Sequence, residues 1–361
     1  MPLPDPPAAE PTAETLGCLG EGELIRRLGR FTSPGRLDDD AALLVPPQEK
    51  ALVVTSDVLV EEVHFSDSTT APADVGWRAT AANLSDLAAM GCSEGLGITV
   101  ALTAPGSTLW SWVEGVYGGI QAVLHSSQGG ELLGGDCSGG LQRQLAITAL
   151  GAVNPGQAIR RGDGRPGDLL VSSGPHGLSR LGLALLIGEL DRQTLAGVGE
   201  ELKARALRAH RRPRPRFDVV RALRRARPET TPWRVGGTDS SDGLLAAATA
   251  IATVSGCTAV LGPAALPLDP EMASLPQARS WCLAGGEDFE LLLALKPTWA
   301  RALCAQQHGC RLVGELRLPA AAGSPPVVWS GSGATVEVAG GAYRHFQEGI
   351  QQQNSRPGKG G

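Results

Sequence analysis

Lysine is nearly missing from this sequence. Of 32 basic residues only Lys50, Lys203, Lys296 and Lys359 are lysines, and no Gly-x-x-x-x-Gly-Lys-Ser/Thr run exists, which excludes a P-loop. Aromatic residues make up only 4%, so Ala, Leu and Val must fill the interior. No apolar run approaches the ~18 residues that a membrane span needs. The longest, around Leu244–Val254, is broken by Thr, and no membrane partner is expected. The first seventeen residues are Pro-rich and acidic, with no basic start and no apolar stretch, so no secretory signal is expected. The cysteines (18, 92, 137, 257, 282, 304 and 310) are odd in number and never spaced Cys-x-x-Cys. A disulfide framework or zinc site is therefore not expected, and a reducing cytoplasm is the simplest location. The histidines (64, 125, 176, 210, 308 and 345) show no paired metal-ligand spacing. A net charge of −5 makes no global field that would demand nucleic acid or an anionic membrane.

What is present is a chain of 361 residues, a length that suggests two domains. Its 42% hydrophobic content is enough for a sizeable core, and its Gly (48) and Pro (26) lack a three-residue period, which excludes collagen and favours a loop-rich globular protein. Strand-like runs fall at 41–45, 51–55, 96–103, 145–153, 169–172, 290–295 and 311–316. Helical periodicity falls at 21–28, 73–90, 107–124, 177–190, 203–209, 217–225 and 244–254. Asp74 is placed to cap the helix over 73–90 and Gly91 to stop it. The turn-rich stretch 154–168 marks the boundary between two α+β domains, 18–155 and 156–346, with disordered tails at 1–17 and 347–361.

The strongest chemical signal is a series of acidic motifs set among Gly, Ser and Thr. They are Leu37-Asp-Asp-Asp40, Thr55-Ser-Asp57, Asn83-Leu-Ser-Asp86, Gly134-Gly-Asp136, Asp239-Ser-Ser-Asp242-Gly and Gly285-Gly-Glu287-Asp288. Any one of them alone reads as a turn or a helix cap. Together, mostly at element ends and without His or Cys partners, they form a hard-oxygen set suited to Mg²⁺. Three tempting matches fail on context. Gly162-Asp-Gly-Arg-Pro-Gly167 fits G-x-G-x-x-G, but Pro166 and the following strand contradict a helix opening there. Gly91-Cys-Ser-Glu-Gly95 runs helix to strand, the reverse of a nucleophile elbow. Gly135-Asp-Cys-Ser138 lacks a His partner. The basic segment 203–227 reads as a solvated helix face with an Arg-Pro-Arg-Pro-Arg turn; the competing reading is a nucleic-acid patch.

In order along the chain, Glu21-Gly-Glu-Leu-Ile, Asp39-Asp40-Ala-Ala, Thr55-Ser-Asp57 with His64-Phe, Asn83-Leu-Ser-Asp-Leu-Ala-Ala-Met-Gly91 and Gly-Gly-Asp136 resemble the motifs of the thiamine-monophosphate kinase family. Arg161 ahead of Arg165-Pro-Gly-Asp168, Ser241-Asp-Gly243, Gly-Gly-Glu287-Asp-Phe-Glu and Tyr343-Arg-His-Phe346 continue the likeness over residues 18–346. That family belongs to the aminoimidazole-ribonucleotide-synthetase-like superfamily. The resemblance implies a two-domain α+β fold, a homodimer paired through N-terminal domains, and ATP-dependent phosphorylation of thiamine phosphate to thiamine diphosphate with several Mg²⁺ ions. It implies metal ligands at Asp40, Thr55, Ser56, Asp57, Asp86, Asp136, Asp239 and Asp242. It implies ATP contacts at Gly135, Asp136, Arg161 and Ser241, and thiamine phosphate contacts at His64, Glu287 and Tyr343. Two positions depart from the family pattern: Asp38 stands where Gly is usual, and Thr238 precedes Asp239.

The resemblance leaves competing functions to separate. Another ATP-using superfamily member, aminoimidazole ribonucleotide synthetase or selenophosphate synthetase, is the nearest. The latter relies on an N-terminal Cys with a nearby Lys, whereas Cys18 has no Lys before position 50. A non-catalytic nucleotide sensor on the same fold would lack turnover, and an RNA-binding protein would lose affinity steeply with salt.

Overall fold

The computed structural model describes residues 14–37 and 41–338. Its first part runs α1 (Leu16–Leu28), β1 (Ala51–Val60), α2 (Pro72–Ala89), β2 (Gly95–Ala104), α3 (Trp110–Ser127), β3 (Glu131–Gly139) and β4 (Gln144–Val153). The four strands form one sheet in the order β1-β4-β2-β3, antiparallel except for β2 and β3, which α3 joins as a parallel crossover. The second part supplies β5 (Leu169–Ser172), α4 (Leu178–Leu186), α5 (Arg192–Ala196), α6 (Glu200–Arg211), α7 (Phe217–Arg225), β6 (Gly236–Asp239), α8 (Leu244–Val254), β7 (Thr258–Leu261), α9 (Ala278–Ala284), β8 (Leu291–Leu295), α10 (Pro297–Gln306), β9 (Arg311–Arg317) and β10 (Val327–Trp329). These strands form a six-stranded sheet in the order β10-β7-β9-β5-β8-β6. The fold is thus the mixed α+β architecture expected. No helix among the described residues is long and apolar enough to cross a membrane.

Several local expectations change. Residues 41–45 form no ladder. The Gly-rich β3 was not expected as a strand, because its Gly134-Gly135 pair reads as a turn; β2 tolerates it through a register shift at Ile98/Thr99. Strands β6, β7 and β10 and helices α5, α9 and α10 were too short to show a period. The tail expected over 1–17 gives way at its end to α1, which Thr15 opens by accepting the Cys18 N–H at 3.3 Å; residues 1–13 and the tail over 347–361 lie outside the described residues. Asp74 does not cap α2: Ala71 holds that place, and Pro72 starts the helix with a backbone angle already helical. Asp74 instead sits inside the first turn, where Arg212 meets its carboxylate at 2.7 Å. Met90 ends the helix, and Gly91 follows at φ +93 as expected.

Helices α2 and α3 cover one face of the first sheet. Along β1 the residues Val53, Thr55, Asp57 and Leu59 turn toward α2, while Leu52, Val54 and Val58 stay 49%, 60% and 46% exposed on the other face. A single apolar cluster runs from Ile98 and Ile147 of the first sheet through Leu84 of α2 to Phe217 of α7, Leu293 of β8 and Trp299 of α10, so α2 is buried from both sides.

The approach of α2 to α3 depends on two glycines. A Cβ on Gly76 would overlap the backbone carbonyl of Val116, and one on Gly119 that of Ala73. Overpacking against backbone costs about 3 kcal/mol, more than the ~1 kcal/mol that Ala gains over Gly in a helix. Gly76→Ala should therefore lower the urea midpoint at unchanged m; a midpoint equal to that of the parent would show that the helices part without cost.

Candidate functional site

The helix-facing side of β1 meets the C-terminal half of α2. Thr55 Oγ1 donates to the Asp86 carboxylate at 2.5 Å, and the Asp57 N–H donates to Asn83 Oδ1 at 3.1 Å. Asn83 is held for this task by its own Nδ2, which donates to the Ala79 carbonyl one turn earlier at 3.0 Å. On the next turn position, Ser85 Oγ donates to Asp239 Oδ2 at 2.8 Å and so joins α2 to the end of β6. Arg161 approaches from the segment between the sheets, its Nε donating to Thr238 Oγ1 at 3.2 Å.

Electrostatics mark the convergence. Burial, then the charges of Asp86 and Asp57, push Asp239 up to about 7, with Ser85 and Arg161 opposing. Burial also raises Asp86, against the Thr55 hydrogen bond and Arg161, and raises Asp57 with help from Asp86. Among the described residues no three carboxylate, imidazole or thiol groups are placed to hold a metal ion by themselves.

Two loops of the second part close the site. The Glu287 N–H donates to the Ser241 carbonyl at 2.7 Å, so the Asp239–Gly243 turn and the Gly285–Asp288 loop lie backbone to backbone. A Cβ on Gly286, at φ +68, would come within 2.8 Å of that same carbonyl. Glu287 and Phe289 adopt φ +55 and +50, a costly region for residues with side chains. What holds them there is anchorage on both sides. Asp288 accepts the Gly177 and Ser179 N–H groups at 2.6 and 3.0 Å and caps α4 from a distant loop. Glu290, fully enclosed, pairs with Arg216 and accepts from Ser173 Oγ. Glu287 Oε1 accepts from the buried Arg78 at 2.5 Å, and the other guanidinium nitrogen of Arg78 donates to the His64 carbonyl at 3.1 Å. The His64 ring is oriented by the Val60 N–H, which donates to Nδ1 at 3.1 Å.

The expected site residues thus fall into groups. Thr55, Asp57, Asp86, Asp239, Arg161 and Ser241 come together, Ser241 Oγ lying 3.5 Å from Asp239 Oδ1. Asp242 stands exposed on the same turn. His64 and Glu287 are joined through Arg78. Ser56 and Asp136 are not with the first group. Ser56 faces away from α2 and donates to the Ile147 carbonyl at 3.1 Å. Asp136 pairs in register with Ala101, which pairs with Ala146 and through it with Val58, and so occupies the sheet face opposite Asp57. There Gly135 and Asp136 border a cavity of about 700 Å³ lined also by Leu28, Tyr117 and Leu132. Asp40 and Tyr343 lie outside the described residues.

Sequence reading missed Arg78, Ser85, His210 and the Arg216–Glu290 pair. Arg78 carried a usable signal, being the one basic residue in a helix of Ala, Leu, Thr and Ser. The Arg-rich segment is only in part the solvated face expected: Arg208, Arg214 and Arg225 are exposed, but others have partners. Arg216 is buried, Arg205 pairs with Asp269, Arg212 with Asp74, and Arg221 and Arg224 donate to the carbonyls of Ser93 and Gly91 at 2.7 and 2.9 Å. Carboxylates and carbonyls of the same chain take up these guanidinium groups, which removes them from a phosphate-binding surface.

Comparison with known proteins shows the family and the fold. The family model described as AIR synthase related protein, N-terminal domain, matches residues 38–153. The thiamine-monophosphate kinase of Prochlorococcus marinus is 45% identical over 338 residues, 93% of this chain and 99% of that protein. The crystal structure of thiamine-monophosphate kinase from Stenotrophomonas maltophilia K279a superposes with a TM-score of 0.70 at 31% identity, covering 86% of this chain and 95% of that one. The structure of AaThiL complexed with AMPPCP and TMP superposes at 0.67 with 27% identity, covering 91% and 98%.

The crowding of Asp239 has a sign in stability. Its pKa rises from 3.8 unfolded to about 7 folded, so between those values the folded chain binds more protons and stability falls as pH rises. Asp288, also pushed up to about 7 by burial, adds to the same slope. The buried His176 and His210, each lowered to about 4, oppose this slope, so the readout is a difference: in thermal melts of chelator-treated protein from pH 4 to 7, the Tm of Asp239→Asn relative to the parent should climb with pH. An unchanged slope in the variant would mean that Asp239 is not crowded.

Proposed function

The chain belongs to the thiamine-monophosphate kinase family, and on that premise we propose that it transfers the terminal phosphoryl group of ATP directly to thiamine phosphate, assisted by Mg²⁺. The observation that carries this reading is the convergence of Asp57, Asp86 and Asp239 with Arg161 where the two sheets meet. Three crowded carboxylates, Asp239 pushed up to about 7 and Asp57 and Asp86 raised above their usual range, suit a divalent cation. Mg²⁺ binds through one or two carboxylates and completes its shell with water and substrate phosphates, so it needs no all-protein cage, and none forms among the described residues. Asp57, Asp86 and Asp239, with Asp242 on the Asp239 turn and, by the family resemblance, Asp40, would hold the ions, which when bound neutralise phosphate charge and orient the γ-phosphoryl group.

The chain's own residues then have defined tasks. Thr55 and Ser85 fix the carboxylates of Asp86 and Asp239 in orientation, and Asn83 fixes the Asp57 backbone. Arg161 and Ser241 contact the nucleotide phosphates, and Gly135 and the cavity beside it receive the rest of ATP. His64, Glu287 and Tyr343 hold thiamine phosphate. No general base is needed, because the acceptor phosphate, with a second pKa of ~6, is already an anionic nucleophile at neutral pH. Attack is in line and forms no phosphoenzyme.

The position of Asp136 supports a homodimer. Strands β1 and β3 are opposite edges of the sheet, three inter-strand spacings or about 14 Å apart, far beyond the ~2 Å reach of one Mg²⁺. Asp136 of the partner subunit would join the metal site from the Ser56 side of β1 when the exposed apolar face of that strand is covered.

The decisive assay is ADP release from ATP in the presence of thiamine phosphate, with unphosphorylated thiamine as control. Turnover only with thiamine phosphate is expected; equal turnover with both, or none, would overturn the reading. Asp57→Asn and Asp136→Asn should each abolish turnover while leaving the melting curve intact. Differently tagged variants co-purified as a mixed dimer hold one intact site of two, and should recover about half of the parental turnover. A mixed dimer as inactive as its parents would mean that each chain builds its site alone.

A further inference from the structure

Arg78 lies in the second turn of α2 and is 4% exposed, a placement that costs several kcal/mol for a charge unless its donors are met. They are met by two groups far apart in the chain: the His64 carbonyl, in the loop after β1, and Glu287 Oε1, in the loop after α9. We infer that Arg78 is a positioning residue for thiamine phosphate, holding His64 and Glu287, one from each half of the molecule, at a fixed separation. The inference rests on the reading that those two residues meet thiamine phosphate.

The main chain around Glu287 is already anchored by Asp288 on α4 and by Glu290 on Arg216, but neither anchor restrains the Glu287 side chain. Arg78 takes Oε1 and leaves Oε2 turned toward His210, whose Nδ1 lies 3.6 Å away, too far for a hydrogen bond. His210 is buried among Arg78, Arg180 and Arg211 and is held neutral down to about 4, and its Nδ1 lies 3.2 Å from Ser179 Oγ. The direct charge contact on Glu287 is therefore that of Arg78, while Oε2 stays open to a substrate. A guanidinium suits the task because two of its nitrogens reach separate acceptors in a fixed plane; a lysine ammonium is a single point on a flexible stem.

Other contacts also tie α2 to the second half: Arg212 to Asp74, Trp77 Nε1 to the Pro213 carbonyl, Arg221 to Ser93 and Arg224 to Gly91. None of these ends on a residue assigned to a substrate. They serve as a control, since a strap that merely holds the halves together should behave as they do.

The test is steady-state kinetics of Arg78→Met, Arg78→Lys, Glu287→Gln, the Arg78→Met/Glu287→Gln pair and Arg212→Met, each with a thermal melt. Arg78→Met should raise KM for thiamine phosphate ~10-fold or more and leave KM for ATP within about twofold. Arg78→Lys, which keeps the charge and protects the fold, should give a smaller rise with the same selectivity. The double variant should lose no more than the worse single one, because the two residues act as one unit. Arg212→Met should lower Tm without that selectivity. Arg78 variants that shift both KM values together, or that match Arg212→Met, would overturn the inference, as would multiplying losses in the double variant. If Glu287→Gln leaves KM for thiamine phosphate unchanged, it is the assignment of Glu287 to the substrate that fails.

Discussion

The structure depends on a helix that has no solvent face to spare. Residues of α2 from Asp74 to Ala89 are buried almost without break, sandwiched between the first sheet and the second half of the chain. A helix buried all round must meet every polar group it carries with a partner, and α2 carries many. Asp74 meets Arg212, Arg78 meets Glu287, Ser85 meets Asp239, and Asp86 meets Thr55. Each pairing satisfies a buried group and, by the same contact, sets the distance between pieces of the site. Packing and function are in this helix a single constraint, which is why its small residues matter: Gly76 lets α3 come close, and the alanines leave room for the second half to reach the acidic face.

Much of this was legible in the sequence, and unevenly so. The long periodic elements, α2, β2, β4, α7 and α8, fall where hydrophobic spacing places them, because burial on one face or all round leaves a strong pattern. The acidic motifs could be read as a set, since no alternative explains so many carboxylates flanked by Gly and hydroxyls. What the pattern could not carry was handedness of placement. Whether Asp136 looks toward α2 or away from it turns on a register shift in a glycine strand, and one residue of slippage exchanges the faces. Ser56 parts from its neighbours for a related reason, since alternation along β1 sends Thr55 and Asp57 one way and Ser56 the other. The arginines of 203–227 were half legible, because a solvated basic helix and a basic strap over a neighbouring helix have the same local sequence, and this segment is both. Only long-range contact separates them.

Charge is distributed with a logic that follows from the scarcity of lysine. Carboxylates gather at the seam in excess of the nearby Arg161, and burial, aided at Asp57 and Asp239 by neighbouring carboxylates, raises the pKa values of Asp57, Asp86 and Asp239. Guanidinium groups are spent on structural carboxylates and carbonyls around that seam instead. An acidic centre framed by arginines that are already committed is a poor receptor for a bare anion and a good one for an anion that arrives with its metal.

The choice of guanidinium over ammonium at the seam also sets the limits of the fold outside neutrality. Arg78 and Arg212 keep their charge in any medium a cell or a buffer can offer, so alkali does not loosen the ion pairs between α2 and the second half. Their carboxylate partners have no such reserve against acid. The ion pairs between the two halves of this molecule therefore open from one direction only.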